Sequence, residues 1–201
     1  ASVARESLPA LLTGVRSPRS LHELAALMAD DPPRDTGMSA AAFAPLFQYD
    51  DYDPQLLFPR LLGALSHASV AAVVLDYANF LYSRFRLPRH PAAEFGPMLA
   101  SLLAAVIGRL GQLESTPLPS GEQLQKRSQQ IQEGVALAVS LCHALGLIGE
   151  RSVVGKLYQA AELSHRRLRA EAAAALVQLG EQAGQAMLTE LAAEPSVRLR
   201  V

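Results

Sequence analysis

The 201-residue chain has no Trp, a single Cys and only 5% aromatic residues. Sheets cover their pleated faces with β-branched and aromatic side chains, so this scarcity argues against a β-rich fold. One thiol, Cys142, excludes an internal disulfide framework and a thiolate-rich structural zinc site. Neither sign of charge is in excess: 18 Lys plus Arg against 19 Asp plus Glu leave a net charge of −1. General nucleic-acid affinity needs many cationic phosphate contacts, and this balance argues against it. At 50% hydrophobic residues the chain is also unlike a disordered segment. No apolar stretch follows the charges of the opening ASVARESLP, so no secretory signal is read there. Uncharged runs such as 135–149 fall short of the roughly 20 residues that span a bilayer. The expectation is a cytoplasmic protein without membrane insertion.

What is present in quantity is 34 Ala and 34 Leu, a third of the chain. Both are strong helix formers, and Ala lets helices approach closely. An all-α fold is expected, and the length allows one domain or at most two. Charge is uneven along it. Residues 1–55 carry four Arg against eight acids, 56–150 seven basic against six acidic, and 151–201 seven against five.

Short helices are predicted over 4–13 and 20–29, the second opening on a capping box of Ser20 and Glu23. Asp30-Asp31-Pro32-Pro33 ends it. A further short helix over 38–48 is interrupted by Pro45. Asp53-Pro54 reads as a helix start, with Leu57, Leu61 and Leu65 recurring at spacing four. After a turn at 66–69, Val70, Val73, Val74, Tyr77, Leu81 and Phe85 mark the stripe of a helix that stops at Leu87-Pro88. Another helix covers about 92–113. STPLPSG (115–121) is the strongest internal break, read as a loop between packed helices in preference to an interdomain linker. Residues 122–149 form one long helix or a kinked pair, polar at first and then apolar on nearly every face. A helix apolar all round must be covered on both sides.

The last quarter repeats itself. Ala144-Leu145-Gly146-Leu147-Ile148-Gly149-Glu150 aligns with Ala175-Leu176-Val177-Gln178-Leu179-Gly180-Glu181 at an offset of 31. Arg167-Leu168-Arg169 aligns with Arg198-Leu199-Arg200 at the same offset. A period in this range marks stacked helix pairs. The stretch RLRAEAAAALVQLGEQAGQAMLTELAAEPSVRLRV resembles a HEAT repeat, particularly the short bacterial kind called HEAT-like or phycobilisome-lyase-type. Residues 56–84 resemble a junction between two such units. The likeness departs at STPLPSG and in the long helix after it. The resemblance implies a right-handed α-solenoid of the ARM type. It would comprise an irregular helical section over 1–50 and an array over 51–201, with a possible break at 115–121. Because 195–201 begins a new first helix, the array is expected to continue beyond 201.

Chemistry is sparse. Five His are present and none lies in HExxH. Some HEAT-like enzymes hold iron with repeated His-Glu dyads, of which His22-Glu23 is the single match here. Cys142 and His143 point about 100° apart on a helix, which spoils them as nucleophile and base. Asp50-Asp51-Tyr52-Asp53 is a compact acidic cluster without the loop of an EF-hand. Arg166, Arg167, Arg169, Arg198 and Arg200, with His165, form a basic ridge if the repeats stack in register. The ridge either holds an acidic partner or bonds to acids and carbonyls of neighbouring helices. HEAT-like DNA glycosylases need a more basic concave face and aromatics that this chain lacks. No Gly-rich phosphate loop, GxSxG or dinucleotide fingerprint is present. The expected function is a non-enzymatic scaffold holding a protein or peptide partner, with no cofactor. The alternative is an accessory or lyase-like component that binds a cofactor or chromophore on the concave face.

Overall fold

The computed structural model describes residues 3–117 and 120–194, with side chains from Arg5 onward. Every regular element among them is helical. The chain divides into two compact units, Ala1–Glu94 and Phe95–Val201. The 1–50 section therefore shares a unit with the segments after it, and STPLPSG lies inside the second unit.

In the first unit α1 (Val3–Val15), α2 (Pro18–Asp30), α3 (Thr36–Gln48) and α4 (Ala68–Ser83) are joined by 3-10 segments at Pro54–Leu57 and Arg60–Ser66. α1 packs on α2 and α3, α3 on α4, and the Arg60–Ser66 segment on α2 and α4. Helices α1, α3 and α4 thus follow one another, beginning at residues 3, 36 and 68. This spacing of 33 and then 32 is close to the offset seen at the other end of the chain. Leu21, Leu24, Met28, Phe43, Leu46, Leu57 and Leu61 are fully buried between these elements.

Several starts and stops differ from expectation. Ser20 is not the cap of α2: Ser17 is, its Oγ accepting the Ser20 N–H at 3.2 Å, because Pro18 fits the first turn. Pro45 does not interrupt α3. Its neighbours Ala42, Phe43 and Leu46 are buried, and the Tyr49 N–H bonds to the Pro45 carbonyl at 3.0 Å, closing the last turn. Asp53 does cap, accepting the Gln55 N–H at 2.9 Å, but the segment it opens is 3-10 rather than α. Phe58–Pro59 is a cis peptide between the two 3-10 segments. α4 stops at Ser83, four residues earlier than the Leu-Pro pair suggests, so Phe85 leaves the apolar stripe.

The second unit holds α5 (Gly96–Ser115), α6 (Glu122–Ile148), a 3-10 turn at Arg151–Val153, α7 (Val154–Ala161), α8 (Arg166–Gln178) and α9 (Gln182–Ala193). α6 is one continuous helix of 27 residues. Its apolar half is the central element: Ala138, Val139, Ser140, Leu141, Cys142, Ala144 and Leu145 are buried under α5 and α8. α8 packs on α6, α7 and α9. Gly146 permits the α6–α8 crossing, since a Cβ there would lie 3.1 Å from the Ala175 Cα. The α5–α6 loop is fastened by Arg127, which sequence reading missed. Its guanidinium donates to the Pro117 and Thr116 carbonyls, each at 2.7 Å, and to that of Leu113. A cation thereby satisfies the orphan carbonyls at the α5 C-terminus.

Two stretches, Ala93–Ser115 and Glu122–Ile148, are long and apolar enough to cross a membrane by length and composition. The second buries half of its apolar window within the protein, as a core helix does.

Candidate functional site

Among the described residues, four of the five with positive φ end helices: Arg16 after α1, Phe85 after α4, Gly149 after α6 and Gly180 after α8. Each lies four residues beyond a Leu, namely Leu12, Leu81, Leu145 and Leu176. At the last three sites the hydrogen bonds also agree. The N–H groups of Arg86, Glu150 and Glu181 bond to the carbonyls of Leu81, Leu145 and Leu176 at 2.9, 3.1 and 2.9 Å. Those of Phe85, Gly149 and Gly180 bond three residues back, at 3.0, 3.2 and 3.0 Å. This is the Schellman arrangement, which needs a left-handed residue at its corner. The aligned segments 144–150 and 175–181 therefore end their helices with the same turn.

Glycine is the usual corner residue, and two of the four sites have something else. Arg16, at φ 51°, is tied down by its side chain. Its guanidinium grips Asp51 through Nε at 2.8 Å and Nη2 at 3.1 Å, and lies 4.2 Å from the Tyr49 ring centroid. Hydrogen bonding to Arg16 holds the Asp51 carboxyl below its ordinary pKa. Phe85, at φ 57°, has no such compensation and is 94% exposed.

The chain around Phe85 is nevertheless fixed. Arg86 donates to the Tyr52 carbonyl at 3.0 Å and the Tyr49 carbonyl at 3.4 Å, and pairs with Asp50 at 3.0 Å. Beyond it Leu87 is buried, and the buried His90 bonds to Asn79 at 3.0 Å while accepting the Ala92 N–H. Arg84 lies over the Phe80 ring at 5.4 Å. Beneath sits an aromatic cluster in which Phe43, Phe47 and Phe58 surround Tyr77. The Tyr52 hydroxyl donates to the Leu46 carbonyl at 2.5 Å and lies 2.6 Å from that of Tyr77. Burial pushes the pKa of both phenols up.

The acidic cluster is thereby accounted for: Asp50 pairs with Arg86, Asp51 with Arg16, and Asp53 caps a 3-10 turn. No group of three or more metal-ligating side chains occurs among the described residues. Cys142 is buried, and desolvation, with the Glu171 charge second, raises its pKa well above the ordinary thiol value. A protonated thiol is a poor nucleophile. His143 reaches instead towards Glu171, at 3.7 Å.

The predicted Arg ridge is brought together only in part. Arg166 Nε lies 2.9 Å and Arg169 Nη1 3.6 Å from the Glu194 carboxylate at the end of α9. Both cations face one acid and fasten α8 to α9. Arg167 is exposed, and Arg198 and Arg200 lie outside the described residues. His165 and Ser164 contact Glu114 at the end of α5, at 3.0 and 2.8 Å.

Two open depressions lie along the helices. One of about 500 Å³ runs between α1 and α2 over Leu8, Leu12, Ala26 and Leu27. Another, of about 620 Å³, lies along Ala105, Gly108 and Gln112 of α5. No family model, no curated protein and no solved structure matches this chain.

Phe85, like Arg127, is a residue that sequence reading missed. It was hidden by its place in an apolar stripe. The signal was its position, four residues after Leu81 and 64 before Gly149, about two repeat lengths.

Proposed function

We propose that this chain is a non-enzymatic interaction module, a HEAT-like array of helix pairs that holds a protein or peptide partner on a preformed surface. The observation that carries this reading is the recurrence of one helix-ending turn at Leu81–Arg86, Leu145–Glu150 and Leu176–Glu181. A stacked array repeats its turns along with its helix pairs, each pair covering the apolar flank of the one before. The packing of α6 on α8, and of α8 on both α7 and α9, supports such an order in the second unit. A surface built this way is already ordered, so a partner binds without the module losing much entropy. The engagement of every acid in the 50–53 cluster, and the protonated, buried Cys142, also favour binding over catalysis.

The test is affinity capture of the full chain from its native cells, followed by reconstitution of each captured candidate with purified proteins. The expected result is at least one partner that binds with a Kd of micromolar or below. Candidates that all fail to reconstitute, alongside turnover of a small molecule by the purified chain, would overturn the reading.

A further inference from the structure

We propose that Phe85 is a docking anchor for a partner protein that offers an apolar socket edged by a carboxylate. This deepens the interaction-module reading and rests on it. Three observations converge. The first is conformational: a bulky side chain occupies a left-handed corner, at φ 57°, where the equivalent turns use Gly149 and Gly180. A large residue in that region is an outlier, and such outliers gather at functional sites. The second is burial. Arg16, in the same strained state, is held by Asp51 and Tyr49, whereas Phe85 is 94% exposed and gains nothing from the fold. The third is rigidity. Arg86 clamps the chain on the Tyr49 and Tyr52 carbonyls, and His90 ties the following loop to Asn79. The ring is thus displayed from a fixed base, so little ordering is needed when it binds.

The surroundings say what kind of partner fits. Arg84, the preceding residue in the chain, is exposed, lies over the Phe80 ring, and pairs with no carboxylate among the described residues. Aromatic residues and Arg are both enriched at protein interfaces, and the complement of an exposed ring with a cation near it is an apolar socket with an acid at the rim. An anionic bilayer fits less well. The 50–94 surface also carries Asp50 and Glu94, whose side chains are 88% and 76% exposed. The first unit has eight Arg against ten acids, which an anionic lipid surface repels.

Two experiments on the full chain test this. In the first, Phe85→Gly is compared with the native protein by thermal melting. Removing the left-handed strain should raise Tm by about 2–4 °C, the shift that roughly 1 kcal/mol produces in a chain of this size. A lower Tm means that the ring serves the fold, and overturns the proposal. In the second, a photo-crosslinking phenylalanine analogue replaces Phe85 in native cells, with Leu11 and Val177, also exposed, as control positions. The captured protein is then purified and its affinity measured. Support requires that Phe85→Gly weaken binding at least tenfold. It also requires that Arg84→Glu weaken it, and that reversing a carboxylate in the partner's socket restore affinity to the Arg84→Glu chain. Adducts with lipid alone, adducts with a second copy alone, no adduct at position 85, or an affinity indifferent to Phe85→Gly would each overturn it. Reconstituted binding captured from position 11 or 177 but not 85 overturns the anchor and leaves the module reading standing.

Discussion

The two units solve one geometric problem with different residues. In the second unit, α6 and α8 turn their last carbonyls over a left-handed glycine, Gly149 at φ 80° and Gly180 at φ 84°. In the first, α1 and α4 use Arg16 and Phe85 at the same kind of corner. The second unit therefore reads as a repeat, because its backbone requirement shows in residue type. In the first the requirement is met at a cost in strain, offset by side-chain contacts at Arg16 and by no contact within the fold at Phe85. The same contrast runs through the helices. The connections from α6 to α9 include one three-residue 3-10 turn, Arg151–Val153, while the first unit interposes two 3-10 segments and a cis peptide between α3 and α4.

The equivalence of the turns is broken most severely at their buried leucines. Leu145 and Leu176 are both fully buried, and their carbonyls receive the closing hydrogen bond. Replacing either by Ala should cost about 3 kcal/mol in chemical denaturation, the sum of lost transfer energy and a residual cavity. Leu12, only half-buried at the corresponding place before Arg16, should cost clearly less. A Leu12→Ala loss equal to that of Leu176→Ala would remove the distinction between tight and loose turns.

Exchanging the corners is the next test. Gly149→Phe and Gly180→Phe impose on the second unit what the first carries at Phe85. Each should cost about 1–2 kcal/mol, since a Cβ crowds the following carbonyl in the left-handed region. No atom lies within 4 Å of a Cβ built at either position, so Gly149→Ala and Gly180→Ala, measured alongside, isolate the backbone cost from any clash of the ring. Neutral exchanges would mean that the corner carries no strain. A smaller loss, about 1 kcal/mol, is expected for Tyr52→Phe, which removes the hydroxyl joining the Leu46 carbonyl to Tyr77 under the first unit's turn.

The sequence discloses those parts of the fold where composition and backbone need coincide. The all-helical class follows from Ala and Leu, and the α6–α9 boundaries follow from Gly149, Ser164 and Gly180. The first unit is less legible because packing overrides local signals there. Pro45 sits inside α3 since Phe43 and Leu46 are buried on either side of it. The Leu57, Leu61, Leu65 spacing survives as burial although the backbone is 3-10. Phe85 shares the period of an α4 stripe and yet lies past the helix end, because no Gly marks the stop. The Arg ridge was legible as a basic cluster. That Arg166 and Arg169 converge on Glu194 was not, since it depends on how α9 returns across α8.

The smallest expected effects distinguish the units by pH. In the second unit the buried Cys142 has a raised pKa, so the unfolded chain loses that proton first. Its contribution is complete below the ordinary thiol pKa, about 8.5, and declines as pH rises above it. Native Cys142 should accordingly resist a maleimide at pH 8 until denaturant is added. In the first unit the sign reverses. Asp51 is held below the ordinary carboxylate value by its hydrogen bond to Arg16, so the native state binds fewer protons there than the unfolded one. The Arg16–Asp51 pair contributes fully above about pH 4 and is lost as pH falls through the depressed native value. Asp51→Asn should therefore lower Tm slightly at pH 6, and the gap from the native chain should close towards pH 3. The pair is solvent-exposed, so added salt should shrink the same gap at pH 6. A gap unchanged from pH 6 to pH 3 would mean that Arg16 is held at its left-handed corner by the Tyr49 ring alone.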